Sequence, residues 1–173
     1  RAGYASPAVL DLLGRPQIVV FNLATLAGHD PATGVLLWSQ PWSAAQPNVA
    51  QPIRVAPDLV LASSGYGAGS RLVRLVTGPD GTITPSIVWD SPRLKAKFTN
   101  PVLHGGFVYG LDDGVLVCLD VETGERRWKA GRYGHGQTLL AGDVILVTTE
   151  DGEVVLVEPT PEAHRELARL GAL

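Results

Sequence analysis

One eleven-residue phrase occurs twice in this chain. Gly28-His-Asp-Pro-Ala-Thr-Gly-Val-Leu-Leu-Trp38 and Cys118-Leu-Asp-Val-Glu-Thr-Gly-Glu-Arg-Arg-Trp128 share the form small-x-Asp-x-x-Thr-Gly-x-x-x-Trp. A phrase duplicated in register marks a repeat architecture, and a repeat constrains the fold far more tightly than it constrains a reaction. Asp, Thr and Gly at this spacing suit a tight hairpin. The carboxylate accepts backbone N–H groups two or three residues on, and glycine takes the positive-φ position that closes the loop. Asp30, Thr33 and Gly34 therefore mark one hairpin, and Asp120, Thr123 and Gly124 a second. Trp38 and Trp128 each lie four residues past the glycine, far enough along the new strand to pack sideways. A buried indole removes about 150–250 Å² from water and keeps one N–H that needs an acceptor. Placed between neighbouring sheets, it joins them by both means.

Trp89, in Ser86-Ile-Val-Trp-Asp90, falls between the two copies, and the three tryptophans are 51 and 39 residues apart. A four-stranded propeller blade takes roughly 40–50 residues. The middle unit has Gly78-Pro-Asp-Gly81 in place of the Asp…Thr-Gly phrase. Its extra length falls in that turn and in Ser63-Ser-Gly-Tyr-Gly-Ala-Gly69. In the third unit the expected strands are 100–104, 107–111, 115–119 and 125–129. They are separated by Gly105-Gly106, Asp112-Asp-Gly114 and the Thr-Gly loop. In the first unit they are 6–10, 17–21, 23–27 and 35–39, and in the fourth 138–140, 144–149 and 153–157. Runs rich in β-branched, aromatic and leucine residues between Gly and Asp punctuation read as short strands. Glu162 to Leu170 has helix-forming composition, but analogy with the other units places an outer strand there. The expected fold is all-β: a β-propeller of four-stranded antiparallel blades, about four of them, at 4–42, 43–91, 92–130 and 131–173, in one domain.

Composition narrows the function classes. Net charge is −3 and basic residues are scattered, so no surface is expected to attract nucleic acid or an anionic membrane. No apolar run approaches the roughly 20 residues of a transmembrane helix. Cys118 is the single cysteine, which excludes an internal disulfide. The chain contains no methionine, even at position 1, so it is expected to begin after processing or to be a piece of something longer.

In a propeller, the inter-blade connections and the loops between second and third strands share one face, and ligands usually meet variable loops on a rigid scaffold. Residues 43–51, 64–70, 93–100, 112–114, 131–137 and 150–152 are expected there. Asn48, Tyr66, Lys95, Lys97, Asn100, Arg132, Tyr133 and His135 are its candidate hydrogen-bonding residues for an anionic or carbonyl-rich ligand. Other chemistries find little support. Gly65-Tyr-Gly-Ala-Gly69 lacks the Lys-Ser/Thr of a phosphate loop. The histidines (His29, His104, His135 and His164) have no zinc-type spacing. Asp112-Asp113 and Glu150-Asp151 offer oxygen ligands for Ca²⁺, but each pair precedes glycine and suits a turn. Ser63-Ser64 sits in no nucleophile elbow.

The phrase ending in Trp128 resembles the tryptophan-docking motif of quinoprotein-type (PQQ-like) β-propeller repeats, and the phrase ending in Trp38 is similar. Ala5-Ser-Pro-Ala, Ser63-Ser-Gly-Tyr-Gly, Asn100-Pro-Val-Leu and Gly152-Glu-Val-Val-Leu-Val-Glu-Pro-Thr-Pro-Glu extend the resemblance over essentially the whole chain. It implies rings of seven or eight blades, bacterial and usually exported from the cytoplasm to the periplasm or beyond. Four blades are then a partial ring, or half of a ring made by two chains. In catalytic members the resemblance implies a Ca²⁺ site of Glu, Asn and Asp, an aspartate base and often an adjacent Cys-Cys disulfide. One cysteine excludes the disulfide here, and no residues match the metal positions. The expected function is that of the non-catalytic relatives of the BamB type: a binding or assembly scaffold for a protein partner or for self-association through exposed blades, with no cofactor. The alternative is part of a PQQ-dependent oxidoreductase of the alcohol or sugar dehydrogenase type, with calcium, whose site needs further blades.

Overall fold

A computed structural model describes residues 2–42 and 47–172. Its sixteen strands form four sheets of four, each antiparallel and meandering, arranged as a four-bladed propeller. Blade 1 comprises β1 (Ala8–Leu12), β2 (Arg15–Phe21), β3 (Thr25–His29) and β4 (Leu36–Pro41). Blade 2 comprises β5 (Ile53–Ala56), β6 (Leu59–Ser64), β7 (Gly69–Thr77) and β8 (Ile83–Ser91). Blade 3 comprises β9 (Val102–His104), β10 (Phe107–Asp112), β11 (Val115–Asp120) and β12 (Arg126–Arg132). Blade 4 comprises β13 (Gln137–Ala141), β14 (Val144–Thr148), β15 (Glu153–Val157) and β16 (Glu166–Gly171). The outer strand expected near the C-terminus is present, and no helix occurs among the described residues.

Most third- and fourth-unit strands start within a residue or two of their expected places; in the first unit β1, β3 and β4 start one or two residues later than expected, and β2 starts two residues earlier. The turn at Leu13-Gly14, where both residues adopt positive φ (53° and 78°), sets the register Leu12↔Arg15 and so moves the end of β1 and the start of β2. β12 also runs on to Arg132, three residues past its expected end, through a bulge between Val115 and Val117 of its partner.

Alternation along the strands builds apolar layers between blades. Leu12, Val19, Phe21, Leu26 and Trp38 of blade 1 pack with Val60, Val73, Leu75 and Ile83 of blade 2. Leu61 and Leu72 of blade 2 meet Val108, Val117 and Leu119 of blade 3. Tyr109, Leu111, Leu116 and Cys118 of blade 3 meet Ile145, Val147, Val155 and Val157 of blade 4. These are three layers for four blades. Among the described residues no buried cluster joins blade 4 to blade 1. The outward faces of the two end blades carry exposed apolar side chains, Val9 on β1 (70% exposed) and Leu139 on β13 (59%). A contiguous exposed apolar sheet face is the usual mark of an interaction surface.

Candidate functional site

The two repeat phrases fold into the same hairpin. In blade 1, Asp30 Oδ1 accepts from Ala32 N (3.0 Å) and Thr33 N (2.9 Å), and Asp30 O accepts from Gly34 N (2.8 Å). In blade 3, Asp120 Oδ1 accepts from Glu122 N (3.0 Å) and Thr123 N (3.1 Å), and Asp120 O accepts from Gly124 N (2.9 Å). Gly34 and Gly124 have φ of 73° and 70°, which a side chain would strain. The Thr33 hydroxyl and amide hold the Asp30 carboxyl below its ordinary value, because donors aimed at the carboxylate favour its charged form.

Tryptophan placement follows the strand register. Trp38, Trp89 and Trp128 pair across their sheets with Gly28, Leu72 and Cys118. Opposite Leu72 and Cys118 the indoles reach to the next blade: Trp89 Nε1 donates to Val121 O (2.9 Å) and Trp128 Nε1 to Thr160 O (2.8 Å). Trp89 also covers the blade 3 hairpin, where a Cβ on Gly124 would lie 2.7 Å from indole Cδ2. Trp38 behaves differently. Gly28 leaves room for its indole to fold back over its own sheet, where a Cβ would lie 2.2 Å from Nε1, and that Nε1 donates to buried Gln17 Oε1 at 2.7 Å. The three indoles all pack in layers between blades, and they differ in whether Nε1 finds its acceptor in the next blade or in its own.

The loop face is assembled from the 2–3 loops and the inter-blade connections. Ser63 Oγ donates to Leu94 O (2.5 Å) and accepts from Ala96 N (3.0 Å), fixing the connection between blades 2 and 3 onto β6. Beside it, Asp112 is 4% exposed and binds Lys95 N (2.9 Å), Lys95 Nζ (2.5 Å) and Lys129 Nζ (2.5 Å). Burial raises its carboxyl, but the hydrogen bonds from Lys129 and Lys95 outweigh this and leave it below the ordinary carboxylate value.

The candidates separate on this scaffold. Asn48 is buried, its amide donating to Asn22 O (2.6 Å) and Leu23 O (3.3 Å). Asn100 Oδ1 accepts from Gln51 N at 2.8 Å, tying two connections together. Lys95 is committed to Asp112, and Tyr133 is buried with its hydroxyl on His164 Nε2 (2.7 Å) and Glu166 Oε2 (3.1 Å). All four make hydrogen bonds that hold the loop backbone or the blade 4 edge in place. Residues 43–46 of the first connection lie outside the described residues. Of the other candidates, Tyr66 and Arg132 are exposed and Lys97 and His135 half-buried; Asn100 is exposed as well. Lys97 Nζ lies 4.7 Å from the centroid of the Tyr66 ring, a cation–π pair, and Tyr66 is 44% exposed. His135 meets Phe98 edge-on, with ring centroids 6.1 Å apart, and Phe98 is 49% exposed. Gln137 Nε2 donates to Phe98 O (2.6 Å) and holds this backbone in place. Sequence reasoning placed Phe98 in a loop-face segment without choosing it, because no local pattern separates an exposed aromatic from a core one. It also passed over Trp42, a buried ring 4.7 Å from Phe21 and capped by Arg71 at 4.6 Å.

A cavity of about 420 Å³ lies elsewhere, at the outer rim between blades 3 and 4, lined by Asp120, Thr123, Glu125, Arg126, Arg127, Pro161 and Glu162. Its acidic and basic groups are mixed, with no nucleophile and base set together. No three His, Cys, Asp or Glu side chains among the described residues converge on a metal position. The buried Asp112 that would be a calcium ligand is already neutralised by two lysines.

The family model described as outer membrane protein assembly factor BamB matches residues 2–130, three quarters of the chain. This chain belongs to that family. Among solved structures, BamB from Moraxella catarrhalis superposes over 97% of this chain and 48% of its own, at TM-score 0.65 and 18% identity. The computationally designed Ika4 protein superposes over 91% of this chain and 94% of its own, at TM-score 0.65 and 14% identity. Both likenesses are of fold. A curated relative, the serine/threonine-protein kinase AfsK of Streptomyces griseus, is 33% identical over 121 residues, or 65% of this chain. The chain spans 14% of that kinase and about half of the Moraxella BamB chain. Among the described residues no helix is long and apolar enough to cross a membrane.

Proposed function

We propose that this family member is a non-catalytic binding scaffold whose loop face holds a protein partner outside the cytoplasm. The observation that carries the reading is two pairs on the loop face, exposed Tyr66 with half-buried Lys97 and exposed Phe98 with half-buried His135, on a backbone fixed by Ser63, Asp112 and Gln137. Exposed aromatic rings with a nearby cation, on a rigid base, provide the low-entropy anchors typical of protein recognition. A partner segment combining an aromatic or aliphatic residue with a carboxylate complements both parts. Membership of a family described as an assembly factor agrees with such a role. The likeness to a stretch of a much longer kinase supports the related idea that these repeats serve as a binding module within larger proteins.

The oxidoreductase alternative has a direct test. Calorimetry and absorbance titration of the full-length protein with pyrroloquinoline quinone and Ca²⁺ should show no stoichiometric uptake. Tight one-to-one binding would overturn the scaffold reading.

A further inference from the structure

In every blade the outermost strand carries a bulge, where two adjacent residues stand opposite one residue of the inner neighbour. The bulged pair is Leu36-Leu37 in blade 1, Ile87-Val88 in blade 2 and Glu166-Leu167 in blade 4. In blade 3 it is Arg126-Arg127. The hairpins of blades 1 and 3 share one phrase and one set of backbone hydrogen bonds, so the turn itself does not call for two cations.

Both arginines line the rim cavity of about 420 Å³, together with Asp120, Glu125 and Glu162. Rim cations elsewhere are paired: Arg71 with Asp90 (2.5 Å), Arg165 with Glu158 (2.8 Å) and Arg169 with Glu166 (2.8 Å). Here they are not. Among the described residues neither Arg126 nor Arg127 pairs with a carboxylate, and neither Glu125 nor Glu162 with a cation. The Arg127 guanidinium rests 5.9 Å from the Phe107 ring centroid, and the Glu162 carboxylate accepts from the Thr160 hydroxyl. Asp120 commits Oδ1 to the amides of its own turn.

The charges select the ligand. A simple anion suits the two arginines but meets three carboxylates, and a simple cation meets the reverse. An apolar molecule would strip water from both sets and leave them unpaired. A molecule carrying one carboxylate and one ammonium satisfies both, since guanidinium forks grip carboxylates bidentately and carboxylates accept from ammonium groups. The volume lies within the range of small-molecule pockets.

We propose that the rim cavity between blades 3 and 4 binds the zwitterion of an α-amino acid or short peptide, its carboxylate on Arg126 and Arg127 and its ammonium on Glu125 and Glu162. The site is built from hairpins that join third and fourth strands, at the blade ends opposite the 2–3 loops. It is therefore independent of the loop-face reading.

Glycine, diglycine and triglycine are the probes, titrated into full-length protein carrying ¹⁵N-labelled tryptophan and arginine. The Trp128 indole N–H, which donates to Thr160 O beside Pro161, reports occupancy, as do the Nε–H groups of Arg126 and Arg127. At least one probe should give saturable shifts of these signals. N-acetylation or C-terminal amidation of that probe should each weaken binding roughly tenfold or more. In the variant Arg126→Gln with Arg127→Gln, the amidated probe should bind as well as the free acid. Arg132→Gln, on the loop face, should change nothing. The substituted residues are exposed, so the variants should unfold with the wild type, and the capped-probe comparison needs no variant at all. Glycine binding as tightly as triglycine assigns the site to free amino acids, and a gain with length assigns it to peptides. Absence of saturable shifts with all three probes would overturn the proposal. Capped probes that bind as tightly as the zwitterion, or a preference for the free acid that survives loss of both arginines, would overturn it as well.

Discussion

Trp89 lies across the face of Gly124 in the next blade, its Cδ2, Cε3 and Cε2 atoms 2.7–3.1 Å from where a Cβ on that glycine would be. The same ring donates from Nε1 to Val121 O at 2.9 Å. One side chain of blade 2 therefore reads both the shape and the polarity of the blade 3 hairpin.

Comparing Gly124→Ala with Gly34→Ala isolates this docking, since the two backbones are alike (φ 70° and 73°). Each substitution costs about 1 kcal/mol for a side chain at positive φ. Gly124→Ala should cost a further 1–3 kcal/mol or so, because the methyl group must displace an indole. Equilibrium denaturation measures both, and equal losses would show that Trp89 does not seat on the hairpin.

Gly28→Ala tests the folded-back indole. Its Cβ would lie 2.2 Å from Trp38 Nε1 and 2.9 Å from Gln17 Oε1, so the ring must move and its buried hydrogen bond to Gln17 break. A loss of about 2–3 kcal/mol is expected, with a red shift in tryptophan emission as the indole leaves its site.

Acid sensitivity should centre in part on Asp112. Its carboxyl titrates lower in the folded protein than in the unfolded chain, so its stabilising contribution is complete above the unfolded-state value near 4. That contribution is lost as pH falls through the folded value. Asp112→Asn should cost roughly 1–3 kcal/mol at pH 7, and the gap between variant and wild type should narrow below about pH 4. Urea unfolding across pH checks the sign, and a gap that widens in acid would contradict it.

Cys118 is fully buried in the layer between blades 3 and 4, and burial is the main reason its thiol is pushed up to about 11. At pH 8 it stays protonated and shielded, so a disulfide reagent should label it only as fast as the protein opens. Rapid labelling of native protein would place this strand elsewhere.

How much of this was legible in the sequence depends on the range of each interaction. The Asp30 and Asp120 hairpins are held by bonds spanning two to four residues, so their phrase announces them. The fate of Asn48 rests on carbonyls 25 and 26 residues away, and that of Asn100 on an amide 49 residues away. Nothing local marks either as scaffold. Trp38 and Trp128 stand in the same phrase, yet one folds back and the other reaches forward, because glycine faces one and cysteine the other across the sheet. That distinction needs the register. The facing ends of β1 and β2 are set by Leu13-Gly14, a turn whose two central residues include no Asp or Asn to announce it.

The central functional claim is that the partner meets the loop face at Tyr66, Lys97, Phe98 and His135. A photo-crosslinking residue placed at Phe98 of the full-length protein in its native cell tests this most directly. A matched control goes at Val76, exposed at the opposite end of β7. The account predicts a discrete protein adduct from position 98, lost when Lys97→Glu and Tyr66→Ala are added, and none from position 76. An adduct at position 76 alone, or one at 98 unaffected by those changes, would contradict it.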